Sequence, residues 1–115
     1  GVQSMGASAM LESWRARRKI THATINTIAD GIGVRLPVDE ALEDMYPVMD
    51  DGMLVSEENI IRAMKLLFQT AGIVVEPSGA VAIAALLEKH SFKSLKVGVI
   101  LCGSNLTIHQ QKWLT

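Results

Sequence analysis

Apolar residues recur along this chain at two different spacings, and the switch between them marks out the elements. The clearest stripe is Ile60, Ile61, Met64, Leu67 and Phe68, at intervals that fill one face of a helix. Ser56 precedes it as a cap, Glu57 and Glu58 suit its positive end, and Gly72 follows as a stop. A second helix is expected from Ala80 to Lys89. It carries no charge before Glu88 and is apolar on every side, so other elements must enclose it. Lys96 to Cys102 is a short apolar run that reads as a strand covered on both faces.

The remainder is less regular. Ala7 to Arg18 has Met10, Leu11 and Trp14 at helical spacing, and Val38 to Met45 suits a short helix with Asp39 and Glu40 in its first turn. Thr21 to Asn26 is polar and aperiodic, Ala29 to Gly33 is a turn-rich loop, and Pro37 closes a short extended piece. Gly1-Val2 reads as the tail of a strand. Asp50-Asp51-Gly52 is a turn before the short strand Met53-Leu54-Val55, and Leu106 to Leu114 is a last amphipathic segment. The fold class is α/β, part of an open, mostly parallel sheet flanked by helices. Two doubly buried elements in 115 residues need more cover than so small a sheet provides. The chain therefore reads as a piece of a larger fold.

Composition narrows the partners. With a net charge of −1 and 49% hydrophobic residues, the chain is core-forming and has no basic face for phosphate contacts. The one basic run, Arg15 to Lys19, is expected to be a solvated helix end. No stretch nears the ~18–20 apolar residues that span a bilayer, and no signal peptide is visible, so neither nucleic acid nor membrane is expected as a partner. A single cysteine rules out an internal disulfide, and the protein is expected to be soluble and cytoplasmic.

Candidate chemistry sits at two turns. Cys102-Gly103-Ser104-Asn105 ends the apolar run at the carboxyl end of a strand, where open α/β sheets bind ligands. Its thiol could be a nucleophile, a metal ligand, a neutral hydrogen-bond donor to a ring nitrogen, or a small buried hydrophobe before a turn. The three histidines show no pairing or ligand spacing with it. Glu76-Pro77-Ser78-Gly79-Ala80 sets a carboxylate before a helix start, either as helix-start chemistry or facing a pocket.

Taken in order, Gly1-Val2-Gln3-Ser4, Thr27-Ile28-Ala29-Asp30-Gly31, Val48-Met49-Asp50-Asp51, Leu54 to Glu58, Glu76 to Ala80 and Cys102 to Asn105 form a specific set. The set resembles the carboxyl-terminal third of the fold-type-II pyridoxal-phosphate enzymes, in the branch of threonine dehydratases and serine racemases. That resemblance covers essentially the whole chain, which it makes the carboxyl-terminal segment, residues 1–115, of a large cofactor-binding domain. It implies pyridoxal 5'-phosphate as cofactor, with Cys102 against the pyridine nitrogen and Gly103, Ser104 and Asn105 shaping the cofactor edge. It also implies that Asp30 and Gly31 lie near the substrate and Glu76 in the pocket wall. The implied reaction removes the α-proton of a small hydroxy amino acid and eliminates the β-hydroxyl, giving a 2-oxo acid and ammonia. The implied enzyme is a homodimer or higher homo-oligomer.

The departures matter too. The Schiff-base lysine and the Gly-rich phosphate loop lie upstream in that family, and the lysines here match no such motif, so the chain supplies no catalytic residue of its own. Ser104 stands where the family's turn usually has glycine. Gln3 and Ala9 are not acidic, so the divalent-cation site of some members is not expected. Two other readings remain: a racemase or other enzyme on the same scaffold, and a non-catalytic binding domain complete at 115 residues.

Overall fold

A computed structural model describes residues 1–88 and 90–115; Lys89, the expected end of the second helix, lies outside the described residues. Strand β1 (Val2–Ser4) pairs in parallel with β2 (Met53–Val55), Val2 opposite Met53 and Ser4 opposite Val55. Between them lie α1 (Ala9–Ala16), a 3-10 turn at Asp30–Ile32 and α2 (Asp39–Met45). Helices α3 (Glu57–Ala71) and α4 (Pro77–Glu88) follow, then a 3-10 turn at His90–Phe92 and the short α5 (Ile108–Gln111).

The sequence signals of α3 operate as expected. Ser56 Oγ accepts from the Asn59 amide, and Gly72 closes the helix in the left-handed region at φ 66°. Its buried stripe is Ile60, Ala63, Met64 and Leu67; Phe68, expected inside, stays partly exposed. Helix α4 packs against α3 and the sheet through Ala80, Ala84 and Ala85, side chains small enough for close backbone approach. It starts three residues before the expected Ala80, because Pro77 suits a first helical position, where its missing N–H costs nothing.

Glu88 ties the far end of α4 to the start of α3. Ser56 N and Ser56 Oγ donate to Glu88 Oε1 at 2.7 and 2.6 Å. The Ser56 hydroxyl first, then the Ser56 amide, holds the Glu88 carboxyl below the usual carboxylate range. A carboxylate whose folded value is depressed contributes stability above its unfolded value of about 4.3, and loses it as pH falls through the lower folded value. Glu88→Gln is therefore expected to flatten the acid limb of the stability curve, as read by urea unfolding between about pH 3 and 6. A limb as steep as that of the parent chain would remove Glu88 from the acid response.

Three segments differ from the sequence expectation. Helix α1 is shorter than Ala7–Arg18. It ends at Ala16, with Arg17 as a left-handed cap at φ 53°. The Arg17 guanidinium lies 4.4 Å from the Tyr46 ring centre, and Arg17 stays exposed like the rest of the basic run, as expected. The amphipathic tail is helical only at Ile108–Gln111, where Thr107 and Gln110 form a reciprocal capping box. Residues 96–102 form no strand. Among the described residues no backbone hydrogen bond joins them to another segment, and Ile100 is 82% exposed. A strand needs a neighbour for its backbone groups, and neither β1 nor β2 hydrogen-bonds to this run.

Candidate functional site

The site grows from the start of α4. Glu76 precedes a proline, a position biased toward extended backbone, and its carbonyl accepts from Gly79 N at 3.0 Å to begin the first helical turn. Its own amide donates to the Gly103 carbonyl at 3.0 Å, and its Oε2 accepts from Asn105 N at 3.0 Å. One residue thus holds the 102–105 turn at both its carbonyl and amide sides. Gly103 takes φ 73°, and a Cβ there would meet Glu76 Cδ at 2.5 Å. The left-handed φ favours glycine, and a side chain there would displace the Glu76 carboxylate.

Gly79 makes the second close approach. A Cβ on it would lie 2.9 Å from the carbonyl carbon of Cys102 and nearer still to the oxygen, so α4 and the turn touch backbone to backbone. Gly31 completes the cluster: a Cβ there would stand 2.9 Å from Ser78 Oγ and 3.8 Å from Glu76 Oε1.

Of the expected site residues, Gly31, Glu76, Cys102, Gly103 and Asn105 therefore share one cluster at the amino end of α4. Ser104 lies within the turn, its carbonyl accepting from Leu106 N at 3.0 Å. Asp30 opens the adjoining 3-10 turn and is exposed, with its carbonyl taken by Gly33 N. Ser78 and Gly79 also belong to the cluster, although no role was expected for them. The Glu-Pro-Ser-Gly run carried the signal, since a glycine in a helix's first turn marks a close approach.

The donor set suits a heteroaromatic ring. The Cys102 thiol is exposed and unbridged, and it can donate a neutral hydrogen bond. Ser78 Oγ is shielded from solvent and finds no partner among the described residues, which leaves a hydroxyl to offer a ligand. Among the described residues no group of three or more His, Cys, Asp or Glu side chains could hold a metal ion. Gln3, at one of the positions weighed for a cation, is engaged elsewhere. Its Oε1 accepts from Leu11 N at 3.1 Å and so braces the first turn of α1.

A second polar clasp fixes the loop that carries Asp30 and Gly31. Glu57 accepts from the buried Ser4 hydroxyl through Oε1 and from Ile28 N at 2.8 Å through Oε2. It thereby joins β1, the loop and the first turn of α3. On the outer side, Ser8 Oγ donates to Glu12 at 2.7 Å and His22 Nε2 lies 2.8 Å from its other oxygen. The Ser8 hydrogen bond first, then His22, keeps the Glu12 carboxyl below its ordinary value.

Comparison with known proteins gives consistent matches. A family model described as "Pyridoxal-phosphate dependent enzyme" matches residues 1–103. The L-threonine ammonia-lyase of Thermotoga maritima is 35% identical over 109 residues, covering 95% of this chain and 27% of that protein. The crystal structure of the T.th. threonine deaminase superimposes with a TM-score of 0.85 at 30% identity, over 93% of this chain and 39% of that one. Maize serine racemase gives 0.81 at 30% identity, over 96% and 35%. The chain thus spans between about a quarter and two-fifths of the length of these relatives.

Proposed function

We propose that this chain, which belongs to the family of pyridoxal-phosphate-dependent enzymes, is the carboxyl-terminal part of an ammonia-lyase acting on threonine or serine. The observation that carries the reading is the junction of Glu76 with the 102–105 turn, which presents an exposed thiol beside the start of α4.

When bound, pyridoxal phosphate supplies an electron sink for the pair left by α-proton removal. This chain's part is to hold the ring edge. The Cys102 thiol donates to the ring nitrogen without forcing that nitrogen to carry a proton, as a carboxylate would, and so keeps the sink moderate. Glu76 fixes the turn, Gly103 permits the close approach, Ser104 and Asn105 shape the edge, and Asp30 and Gly31 border the substrate. The Schiff-base lysine and the phosphate loop come from the upstream part of the large domain. A free cysteine fits a cytoplasmic setting. Exposed apolar side chains around the end of α3, among them Leu66, Ile73 and Val74, fit a homo-oligomer.

The test uses the complete enzyme that ends in these residues, incubated with L-threonine and L-serine. Release of 2-oxo acid is expected, and D-serine as the main product would favour the racemase reading, which the match to maize serine racemase supports. Cys102→Ser is expected to keep activity, whereas Cys102→Asp loses at least roughly tenfold, or about 1.4 kcal/mol in the barrier. The 115 residues alone are expected to show no turnover. Clear turnover by them, or an unimpaired Cys102→Asp enzyme, would contradict the proposal.

A further inference from the structure

The first turn of α4 stands between the 3-10 turn at Asp30–Ile32 and the 102–105 turn, and each of its contacts with them involves a glycine. On one side, a Cβ at Gly31 would stand 2.9 Å from Ser78 Oγ, 3.3 Å from Ser78 Cβ and 3.8 Å from Glu76 Oε1. On the other, a Cβ at Gly79 would lie 2.9 Å from the Cys102 carbonyl carbon, and one at Gly103 would lie 2.5 Å from Glu76 Oε1. The side chains of Ser78 and Glu76 thus fill the space between the two turns.

The two sides do not yield equally. Helix α4 is backed by α3 and the sheet through Ala80, Ala84 and Ala85, and Gly79 already lies against the Cys102 backbone. The 3-10 turn is the lighter piece. Ile32 N and Gly33 N donate to Ala29 O and Asp30 O within it, and Glu57 holds its approach through Ile28 N. Among the described residues no backbone hydrogen bond joins residues 30–33 to α4. Close-packed groups pass strain to whatever can move, so volume added at position 78 displaces Asp30 and Gly31. Toward Gly31 the Ser78 side chain acts by bulk, because Oγ is unbonded among the described residues and glycine offers it no side-chain partner.

We propose that Ser78 is a positioning residue that tunes substrate choice: its side chain is the spacer that sets how far the Asp30–Gly31 loop stands from the 102–105 turn. That separation fixes the room left for the substrate's β-substituent. The inference rests on the reading of this loop as a border of the substrate, and adds the side chain that places it. Threonine and serine differ by one methyl group at the β-carbon. A single methylene in a pocket discriminates about 10–200-fold between substrates, so a small displacement of the loop registers in the choice between them.

Measuring kcat/KM for L-threonine and L-serine in the complete enzyme carrying Ser78→Thr or Ser78→Ala tests the spacer. The two variants are expected to move the threonine-to-serine ratio in opposite senses, each by at least roughly fivefold, with the cofactor absorption kept. A ratio unmoved in both overturns the proposal even where stability falls, since packing alone does not choose between substrates. So does a shift in Ser78→Ala with Ser78→Thr like the parent, because the hydroxyl and not its volume then acts. A double-mutant cycle reads the contact itself by urea unfolding of the complete enzyme. Gly31→Ala is expected to lose stability against Ser78 Oγ. Gly31→Ala combined with Ser78→Gly is expected to recover most of that loss, with Glu76 Oε1 left at an ordinary 3.8 Å. Additive losses overturn the contact. A parent enzyme that releases 2-oxo acid from neither amino acid removes the lyase reading and leaves the cycle to decide the spacer. Release with an unmoved ratio removes the spacer alone.

Discussion

Gly79→Ala is expected to be the most damaging single change at the site. The new methyl group would overlap the Cys102 carbonyl, which is backbone and has no rotamer to escape into. Either α4 moves off the turn or the turn moves off α4. Overpacking of this kind costs about 1–3 kcal/mol and sometimes more, here against the total of about 5–15 kcal/mol typical of a domain. The displaced segment carries the thiol, so the complete enzyme should also lose its cofactor absorption. Urea unfolding and the absorption spectrum measure the two effects separately. A Gly79→Ala protein with parental stability and spectrum would mean that the close approach is not obligatory.

Glu57→Ala is expected to be nearly as costly, for the opposite reason. It removes an acceptor and leaves two donors behind, the Ile28 amide and the hydroxyl of Ser4, a residue with no exposed surface. Hydrogen bonds to a charged group contribute about 1.5–3 kcal/mol each, and an orphaned buried donor costs about 1–3. Because Ser4 Oγ also accepts from Gly6 N, its shell is reduced rather than emptied. The expected loss is about 2–4 kcal/mol, with the loop of Asp30 and Gly31 loosened first. Glu57→Gln keeps one acceptor and should recover part of it. A loss below about 0.5 kcal/mol for Glu57→Ala, within the range of ordinary surface changes, would deny the clasp a structural role.

What the sequence revealed follows from how local each signal is. Helix α3 carries its cap, its stripe and its stop within 17 residues, from Ser56 to Gly72; cap and stop hold, and the stripe holds at Ile60, Met64 and Leu67 but not at Phe68. The ordered motifs placed the family because they name residue types at turns, where backbone geometry restricts the choice. Residues 96–102 misled for a complementary reason. Their apolar pattern is that of a covered strand, whereas strand pairing depends on a neighbour these residues do not have. The contacts of Glu57 with Ser4 and Ile28 span 53 and 29 positions, and no local pattern announces them. Gly79 stood just before the expected helix start at Ala80, and nothing local announced its partner 23 positions onward.

The bond from Asn105 to Glu76 closes a stretch of 29 positions. Fixing the ends of such a loop costs roughly 2–3 kcal/mol in chain entropy. One neutral hydrogen bond of about 1 kcal/mol and one to a carboxylate of about 1.5–3 come close to offsetting that. The 102–105 turn is therefore held near balance. Any molecule that adds even one good contact to it also tightens the closure, so recognition and local ordering of this turn are a single event.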